Sequence, residues 1–311
     1  MPEASTWGGV STALALLSIA VVAVLAINHL IRRSLAAPRV VESGVPDGLA
    51  WRQVAIASER GKTLFGWFIP AADGAPALAI VHGWGGNAEM MLPLAKPLHR
   101  AGYALLFFDA RSHGRSDGDS FASLPRFAED LAHAVDWLRA QAEVDAQRVG
   151  VIGHSVGAAA ALLLASQRHD LIAAVTLAAF ADPAAIMRRW LQARRIPYWP
   201  LGAYILYYVQ HVIGQRFADI APRQTIRAAS CPVLLVHGSD DETVPVSDAQ
   251  EIFARRRDER VRLLLIPGSH DQYAEIERHF ASVIDFLDAA TRPLADRHSQ
   301  ELSQRSTGDA R

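Results

Sequence analysis

The chain has 311 residues, half of them hydrophobic, and a formal net charge of −1. This length and composition suffice for one large domain with an appendage, and a charge near zero gives no reason to expect nucleic acid as a partner. The single cysteine, Cys231, excludes an intrachain disulfide. The twelve histidines are scattered rather than grouped at metal-ligand spacing, so the sequence predicts neither a metal site nor a bound cofactor.

The chain begins with a long apolar segment. Residues 10–27 contain no charged side chain, and the segment, extended to Ile31, is long enough as a helix to cross a hydrocarbon core of about 30 Å. It is apolar all round rather than along one stripe, which disfavours a buried or interfacial helix. We therefore predict a transmembrane anchor at residues 1–34, with the span at about 10–31.

The charges that flank this segment predict its orientation. A cleaved signal peptide begins with a basic region, whereas residues 1–7 carry Glu3 and neither Lys nor Arg. Arg32, Arg33 and Arg39 instead follow the segment. By the positive-inside rule, we expect a single-pass protein of the bacterial inner membrane, with its N-terminus outside and the domain that follows in the cytoplasm.

Residues 35–50 hold two prolines and two glycines and predict a linker. Beyond it, apolar runs alternate with helical patterns through residues 51–290, which predicts an α/β domain with a mostly parallel sheet and helices on both faces. The polar tail, residues 291–311, is predicted to be disordered. The predicted strands are 53–58, 63–69, 78–82, 104–109, 149–153, 173–177, 233–237 and 261–266, and the predicted helices are 88–101, 124–141, 158–165, 247–256 and 273–287.

A stretch of about fifty residues between Phe180 and Cys231 interrupts the alternation. It shows no strand pattern but holds several aromatic residues, and a compact domain rarely carries so long a connection without its own structure. We predict a helical cap at about 181–230, inserted over the site. Within it, residues 187–195 contain four arginines, which suit either a solvated helix face or contact with anionic lipid.

The sequence GHSVG lies where the fifth predicted strand gives way to a helix. Gly153 and Gly157 flank Ser155 in the spacing of a nucleophile elbow, a tight strand-to-helix turn that exposes a serine hydroxyl. The alternative is a glycine-rich turn with an incidental serine. In parallel sheets, active sites form at the carboxyl ends of strands. The residues at the ends of the other strands therefore distinguish a nucleophile elbow from a turn with an incidental serine.

Two later strands end in the partners that such a serine needs. A serine is a weak nucleophile until a histidine takes its proton and a carboxylate orients that histidine. The strand at 233–237 is followed by Asp240 and Asp241, and the strand at 261–266 is followed by His270. We therefore predict a triad of Ser155, one of the two aspartates, and His270.

Several of these motifs together resemble those of the α/β-hydrolase superfamily, over residues 51–290. They are HGWGG at 82–86, DARSHGRSDG at 109–118, GHSVG at 153–157, HGSDDETVP at 237–245 and SHDQY at 269–273. Within this superfamily, the motifs most resemble those of the Bem46-like and dienelactone-hydrolase-like groups. The resemblance implies an α/β-hydrolase fold and aligns the family's acid with Asp241 rather than Asp240.

The resemblance also implies the roles of the site residues. Ser155 is expected to attack the acyl carbon, His270 to act as the base, and Asp241 to orient His270. The backbone N–H groups of Trp84 and Val156 are expected to form the oxyanion hole.

Three functions remain open at this stage. The first is a membrane-anchored serine hydrolase that cleaves carboxylic esters or thioesters, with a small-molecule or lipid-like acyl substrate. The second is a serine peptidase of the prolyl-oligopeptidase type, although the chain has no room for a propeller-sized partner domain. The third is an inactive scaffold that uses the same fold for binding. The sequence does not predict the oligomeric state.

Overall fold

The computed structural model describes residues 4–271 and 276–291, with side chains at 12–271 and 280–291. The predicted tail therefore lies outside the described residues from position 292 onward, as do Gln272 and Tyr273 of the last motif.

The domain is built on one eight-stranded sheet with the order β1-β2-β4-β3-β5-β6-β7-β8. Strand β2 pairs antiparallel with β1 and β4, and all other neighbours are parallel. This confirms the predicted fold class. The strands are β1 (Arg52–Ala57), β2 (Thr63–Ile69), β3 (Ala75–Val81), β4 (Ala104–Phe108), β5 (Val144–His154), β6 (Ala174–Leu177), β7 (Val233–Gly238) and β8 (Val261–Ile266).

Helices cover both faces of this sheet. The inner strands β2 to β7 are largely buried on both sides, and alternate residues of β3 enter different core clusters, since successive side chains of a strand point to opposite faces. Ala79 packs with helices α3 and α4, whereas Ile80 packs with α2 and α10. The α-helices are α1 (Ala4–Ser34), α2 (Ala95–Arg100), α3 (Leu124–Arg139), α4 (Val156–Gln167), α5 (Pro183–Ala193), α6 (Ala203–Ile213), α7 (Phe217–Ile220), α8 (Pro222–Thr225), α9 (Val246–Ala254) and α10 (Ile276–Thr291).

Two predicted elements differ from those observed. The predicted helix at 88–101 is a 3₁₀ segment at Ala88–Leu94 followed by the short α2, because Pro93 lacks the N–H that an α-helix requires there. Strand β5 starts at Val144 rather than 149. Its first residues pair with β3 across an irregularity in register, and their polar sequence gave no strand signal.

Among the described side chains of helix α1, from residue 12 onward, those that pack on the domain lie near its C-terminal end. Apolar side chains such as Leu14, Leu17 and Leu25 are about 60% exposed (59%, 61% and 62%), whereas Ile31 is buried. The segment Thr12–Ser34 is long and apolar enough to cross a membrane.

Residues 35–50 form neither helix nor strand, but they are not a free linker: they lie along the domain as a strap. The Ala122 N–H donates to the Leu35 carbonyl at 2.9 Å, and Asn87 Nδ2 donates to the Val40 carbonyl at 3.1 Å. Further along, the Ser43 N–H donates to Glu89 at 2.7 Å. The sequence could not show this docking, because it depends on partners far along the chain.

Residues 181–230 form the predicted helical segment between β6 and β7, and they contain no strand. It comprises α5 to α8 with short turns between them. We call this segment the cap. Helix α6 contacts the end of α1, where the Tyr204 hydroxyl donates to Asn28 Oδ1 at 2.7 Å and Arg32 Nε donates to the Tyr208 hydroxyl at 2.8 Å.

Candidate active site

Ser155 lies at the junction of β5 and α4, as the GHSVG pattern predicts. Its backbone has φ +54° and ψ −115°, a strained conformation for a residue with a side chain. The turn is possible because its neighbours lack a Cβ. A Cβ on Gly153 would overlap the Gly157 backbone, and one on Gly157 would lie 2.9 Å from the Val81 carbonyl oxygen and overlap that of His82.

The structure brings Ser155, His270 and Asp241 into one hydrogen-bonded chain. His270 Nε2 lies 3.0 Å from Ser155 Oγ, and His270 Nδ1 lies 2.8 Å from Asp241 Oδ2. If Nδ1–H donates to the carboxylate, Nε2 is free to accept the serine proton. The three side chains come from the ends of β5, β7 and β8, the edge at which α/β sheets form their sites.

The backbone of its own loop holds the Asp241 carboxylate. Asp241 Oδ1 accepts from the N–H groups of Thr243 at 2.9 Å and Val244 at 2.7 Å, which leaves Oδ2 for His270. Burial on its own would raise the pKa of Asp241, but the hydrogen bonds from His270 and Val244 outweigh it and hold that pKa below its usual value. The carboxylate is therefore ionised at neutral pH.

Asp240 lies outside this chain of contacts. Its Oδ2 accepts from the Gly268 N–H at 3.3 Å and from the Ser239 hydroxyl at 3.1 Å, and it is exposed. The adjacent aspartate thus braces the turn after β8, while Asp241 faces His270.

The loop at 82–86 passes directly beside the serine. A Cβ on Gly83 would lie 3.1 Å from Ser155 Cβ and 3.0 Å from His154 Nδ1, so any larger residue would push against these two side chains. Trp84 follows it and is half-buried. Val156 is the first residue of α4, and the first N–H groups of a helix have no acceptor within the helix.

His82 fixes the shape of this loop as a neutral ring. It is fully buried; its Nε2 accepts from the Ala110 N–H at 3.1 Å, so the proton is on Nδ1, which lies 2.6 Å from the Gly83 carbonyl oxygen. Burial, with a smaller contribution from His113, lowers the pKa of His82 to about 3. His82 therefore cannot act as a charged group at neutral pH.

His154 contacts the loop that carries His270. Its Nε2 lies 2.9 Å from the His270 carbonyl oxygen, and the two rings are 4.9 Å apart between centroids. His154, His270 and Asp271 have ligand-type atoms within 4.8 Å of one another. However, both ring nitrogens of His270 are engaged by Ser155 and Asp241, so these residues form a poor metal site.

Sequence reasoning missed a buried carboxyl pair beneath the 82–86 loop. Asp109, at the end of β4, accepts from the N–H groups of Ala88 at 2.7 Å and Arg115 at 2.8 Å. Burial, and then the neighbouring Glu42 carboxyl of the strap, raise the pKa of Asp109 to about 8, and Arg115 Nε lies 3.1 Å from Glu42 Oε2. Glu42 gave no signal because it lies in a segment that reads as a linker.

The rest of the 109–118 loop is held by ion pairs and hydrogen bonds to neighbouring elements. Arg111 Nε lies 2.6 Å from Asp130 Oδ1, and both side chains are 1% exposed. Asp117 accepts from the Thr63 N–H at 2.8 Å. None of these groups contacts Ser155 or His270 among the hydrogen bonds of the described residues, so they support the loop rather than the reaction.

Comparisons with known proteins agree with this architecture. A family model described as serine aminopeptidase, S33, matches residues 74–211. Uncharacterized protein Rv2307c of Mycobacterium tuberculosis is 29% identical over 223 residues, which is 70% of this chain and 72% of that protein. Uncharacterized protein YfhR of Escherichia coli K12 is 27% identical over 262 residues, which is 80% of this chain and 84% of that protein.

Solved structures are similar over most of the domain. The Pyrococcus furiosus esterase Pf2001 superimposes with a TM-score of 0.66 and 25% identity, covering 81% of this chain and 98% of that one. Est1E from Butyrivibrio proteoclasticus, solved with ferulic acid, gives a TM-score of 0.61 at 22% identity, covering 76% and 98%. Together with the sheet order and the serine at its strand-to-helix turn, these matches show that the chain has the α/β-hydrolase fold.

Proposed function

We propose that this α/β hydrolase is a serine esterase or thioesterase, anchored in a membrane by α1, that works through an acyl-enzyme intermediate. The observation that carries the proposal is the hydrogen-bonded chain Ser155–His270–Asp241, with 3.0 Å and 2.8 Å between its partners. The similar Pyrococcus furiosus protein is named an esterase, which supports ester rather than other substrates.

The first half of the reaction forms the acyl-enzyme. Ser155 Oγ attacks the carbonyl carbon while His270 Nε2 takes the hydroxyl proton, and the carbonyl electron pair moves onto oxygen. Ionised Asp241 stabilises the imidazolium that results. The N–H groups of Val156 and Trp84 are the proposed donors to the oxyanion, and one such donor typically lowers the barrier by about 3 kcal/mol.

The second half returns the enzyme to its starting state. As the carbonyl re-forms, the bond to the leaving oxygen or sulfur breaks, and His270 gives its proton to that atom. A water molecule then attacks the acyl carbon, His270 takes one water proton, and the carboxylic acid leaves Ser155 Oγ, which regains its proton. No step of this proposed reaction uses a metal ion or a cofactor.

Helix α1 supports the anchoring part of the proposal. Its apolar side chains from Leu14 to Leu25 are mostly exposed, and only a bilayer or a partner would cover so large an apolar surface. Its last turn hydrogen-bonds to the cap through Asn28 and Arg32. Cleavage of α1 as a signal peptide would discard these contacts.

The test is hydrolysis of p-nitrophenyl esters, from acetyl to palmitoyl, by the full chain in detergent. We expect Ser155→Ala to abolish activity, while Ser166→Ala, whose hydroxyl bonds the Leu163 carbonyl on α4, leaves it intact. Fluorophosphonate should label the wild-type protein on Ser155. Equal rates in wild type and Ser155→Ala, with no label, would contradict the proposal and favour a binding scaffold.

A second candidate is hydrolysis of an amide, because the matching family model is described as a serine aminopeptidase. The same three side chains would act on a peptide bond. Alanine p-nitroanilide distinguishes the two: cleavage of it at rates above those of the esters would replace the esterase assignment with a peptidase.

A further inference from the structure

The contact between α1 and α6 fixes how far the cap lies from a membrane. Asn28 and Arg32 sit one turn apart on α1 and bond to Tyr204 and Tyr208, one turn apart on α6. Because the apolar span ends at about Ile31 and a helix rises 1.5 Å per residue, these contacts lie within one turn of the end of the span. Helix α6 therefore sits at the depth where a bilayer changes from hydrocarbon to headgroups.

The cap also concentrates the exposed aromatic surface of the domain. Between residues 51 and 271, eight large hydrophobic side chains are exposed, and five of them belong to the cap. Trp and Tyr prefer the membrane–water interface, where one end of the ring is apolar and the other polar. The five are Trp190, Tyr198, Trp199, Leu201 and Tyr207.

One of these side chains, Tyr207, adjoins the face of α6 that contacts α1. Tyr207 is 67% exposed and lies three residues after Tyr204 and one before Tyr208, so it stands beside the tyrosines that bond α1. Tyr207 and Tyr198 line a cleft of about 290 Å³ together with Arg188. The exposed Tyr207 and Tyr198 thus lie next to the docked end of the apolar helix.

The charge of the cap fits anionic lipid. Residues 181–230 carry seven arginines and two aspartates, in a chain of net charge −1. Arg188 lies over the Tyr198 ring at 4.8 Å, and Arg194 lies over the Trp190 ring at 5.1 Å. A basic residue near an anionic leaflet contributes about 1 kcal/mol to binding, so an arginine stacked on an aromatic ring presents both groups that such a surface attracts.

We propose that the cap is a membrane-docking surface whose partner is the headgroup layer of an anionic lipid bilayer. This inference rests on the anchoring part of the proposed function. It adds that the catalytic domain does not hang free from its anchor but contacts the bilayer through α6 and the residues around it.

The test places a nitroxide at single introduced cysteines of the full chain, reconstituted into vesicles of phosphatidylcholine and phosphatidylglycerol. Cys231 is buried, at 4% exposure, and does not compete for the label. Tyr207→Cys reports on the cap and Leu17→Cys on the span of α1. Asp73→Cys is the control, because Asp73 is exposed and lies at the amino end of strand β3, whereas the cap follows the carboxyl end of the parallel strand β6.

Collisions of each nitroxide with oxygen and with a water-soluble nickel chelate report its surroundings. We expect the label at 17 to meet oxygen rather than nickel, and the label at 207 to be severalfold less accessible to nickel than the label at 73. Removing phosphatidylglycerol, or changing Arg188 and Arg194 to Gln, should raise the nickel accessibility at 207. None of these readings depends on hydrolysis.

Different outcomes would contradict the docking proposal and the anchoring proposal, so the two failures can be distinguished. A protected label at 17 with equal nickel accessibility at 207 and 73 would overturn docking and leave the anchor in place. A water-exposed label at 17 would overturn both. Dipolar broadening at 207 would show a second copy of the chain on this surface, and insensitivity to phosphatidylglycerol would refute the role of anionic lipid.

Discussion

The buried pair Glu42–Asp109 predicts an unusual dependence of stability on pH. Asp109 is completely buried and, with a pKa of about 8, keeps a proton in the folded protein that the unfolded chain loses near pH 4. Between these values the folded state binds more protons, so the free energy of unfolding falls as pH rises, by up to about 1.4 kcal/mol per pH unit. Above pH 8 this loss is complete.

Replacing Glu42 by Gln should remove the part of this effect that comes from Glu42, while the part that comes from burial remains. A glutamine amide can donate to Asp109, and the N–H groups of Ala88 and Arg115 still bind the carboxylate, so the pKa of Asp109 falls. We expect wild type to lose about 1 kcal/mol more than Glu42→Gln between pH 6 and pH 8. His113 does not contribute in this window, since burial lowers its pKa to about 4.

The assay is urea unfolding of the full chain in detergent at pH 6, 7 and 8. Glu89→Gln is the matched control: it alters another contact of the strap, with Ser43, but the pKa of Glu89 is lowered by that contact, so it does not titrate above pH 6. The free energy of unfolding of Glu89→Gln should therefore fall with pH as steeply as that of wild type. If Glu42→Gln kept the wild-type slope, the pair would not share a proton and the reasoning would be wrong.

Three further substitutions test the site and its supports. Asp241→Asn should lower kcat by on the order of 10⁴ with little change in KM, since it disturbs the orientation of the histidine; an unchanged kcat would remove Asp241 from the mechanism. Gly157→Ala should destabilise the fold by about 3 kcal/mol in urea unfolding, because its Cβ meets the Val81 carbonyl; wild-type stability would contradict this packing. Arg111→Met should cost about 3–5 kcal/mol by leaving Asp130 buried without its cation, and a change below 1 kcal/mol would argue that Asp130 is neutral.

The sequence predicted the elements that arise from local patterns. Glycine spacing predicted the elbow at Ser155. Apolar runs predicted the strands β7 and β8, which are followed by Asp241 and His270. The choice between Asp240 and Asp241 required the family resemblance, because neighbouring aspartates look alike until the loop folds and one of them meets His270.

What the sequence did not predict depends on contacts between distant residues. Pro38 lies against Gly85, and His154 meets the His270 carbonyl across 116 positions. Neither contact leaves a periodic or compositional trace. The strap reads as a linker for the same reason, since its prolines and glycines describe the backbone but not what it packs against.

The docked strap limits how far the domain can move from its anchor. As a free tether, its 16 residues could extend by about 55 Å, enough for the domain to sample a wide layer of solution beside the membrane. Because the strap is held by Asn87, Glu89 and Ala122, that reach is lost. With α1 in a bilayer, such an enzyme would diffuse only in two dimensions, and its encounter rate would follow the surface density of its substrate rather than the bulk concentration.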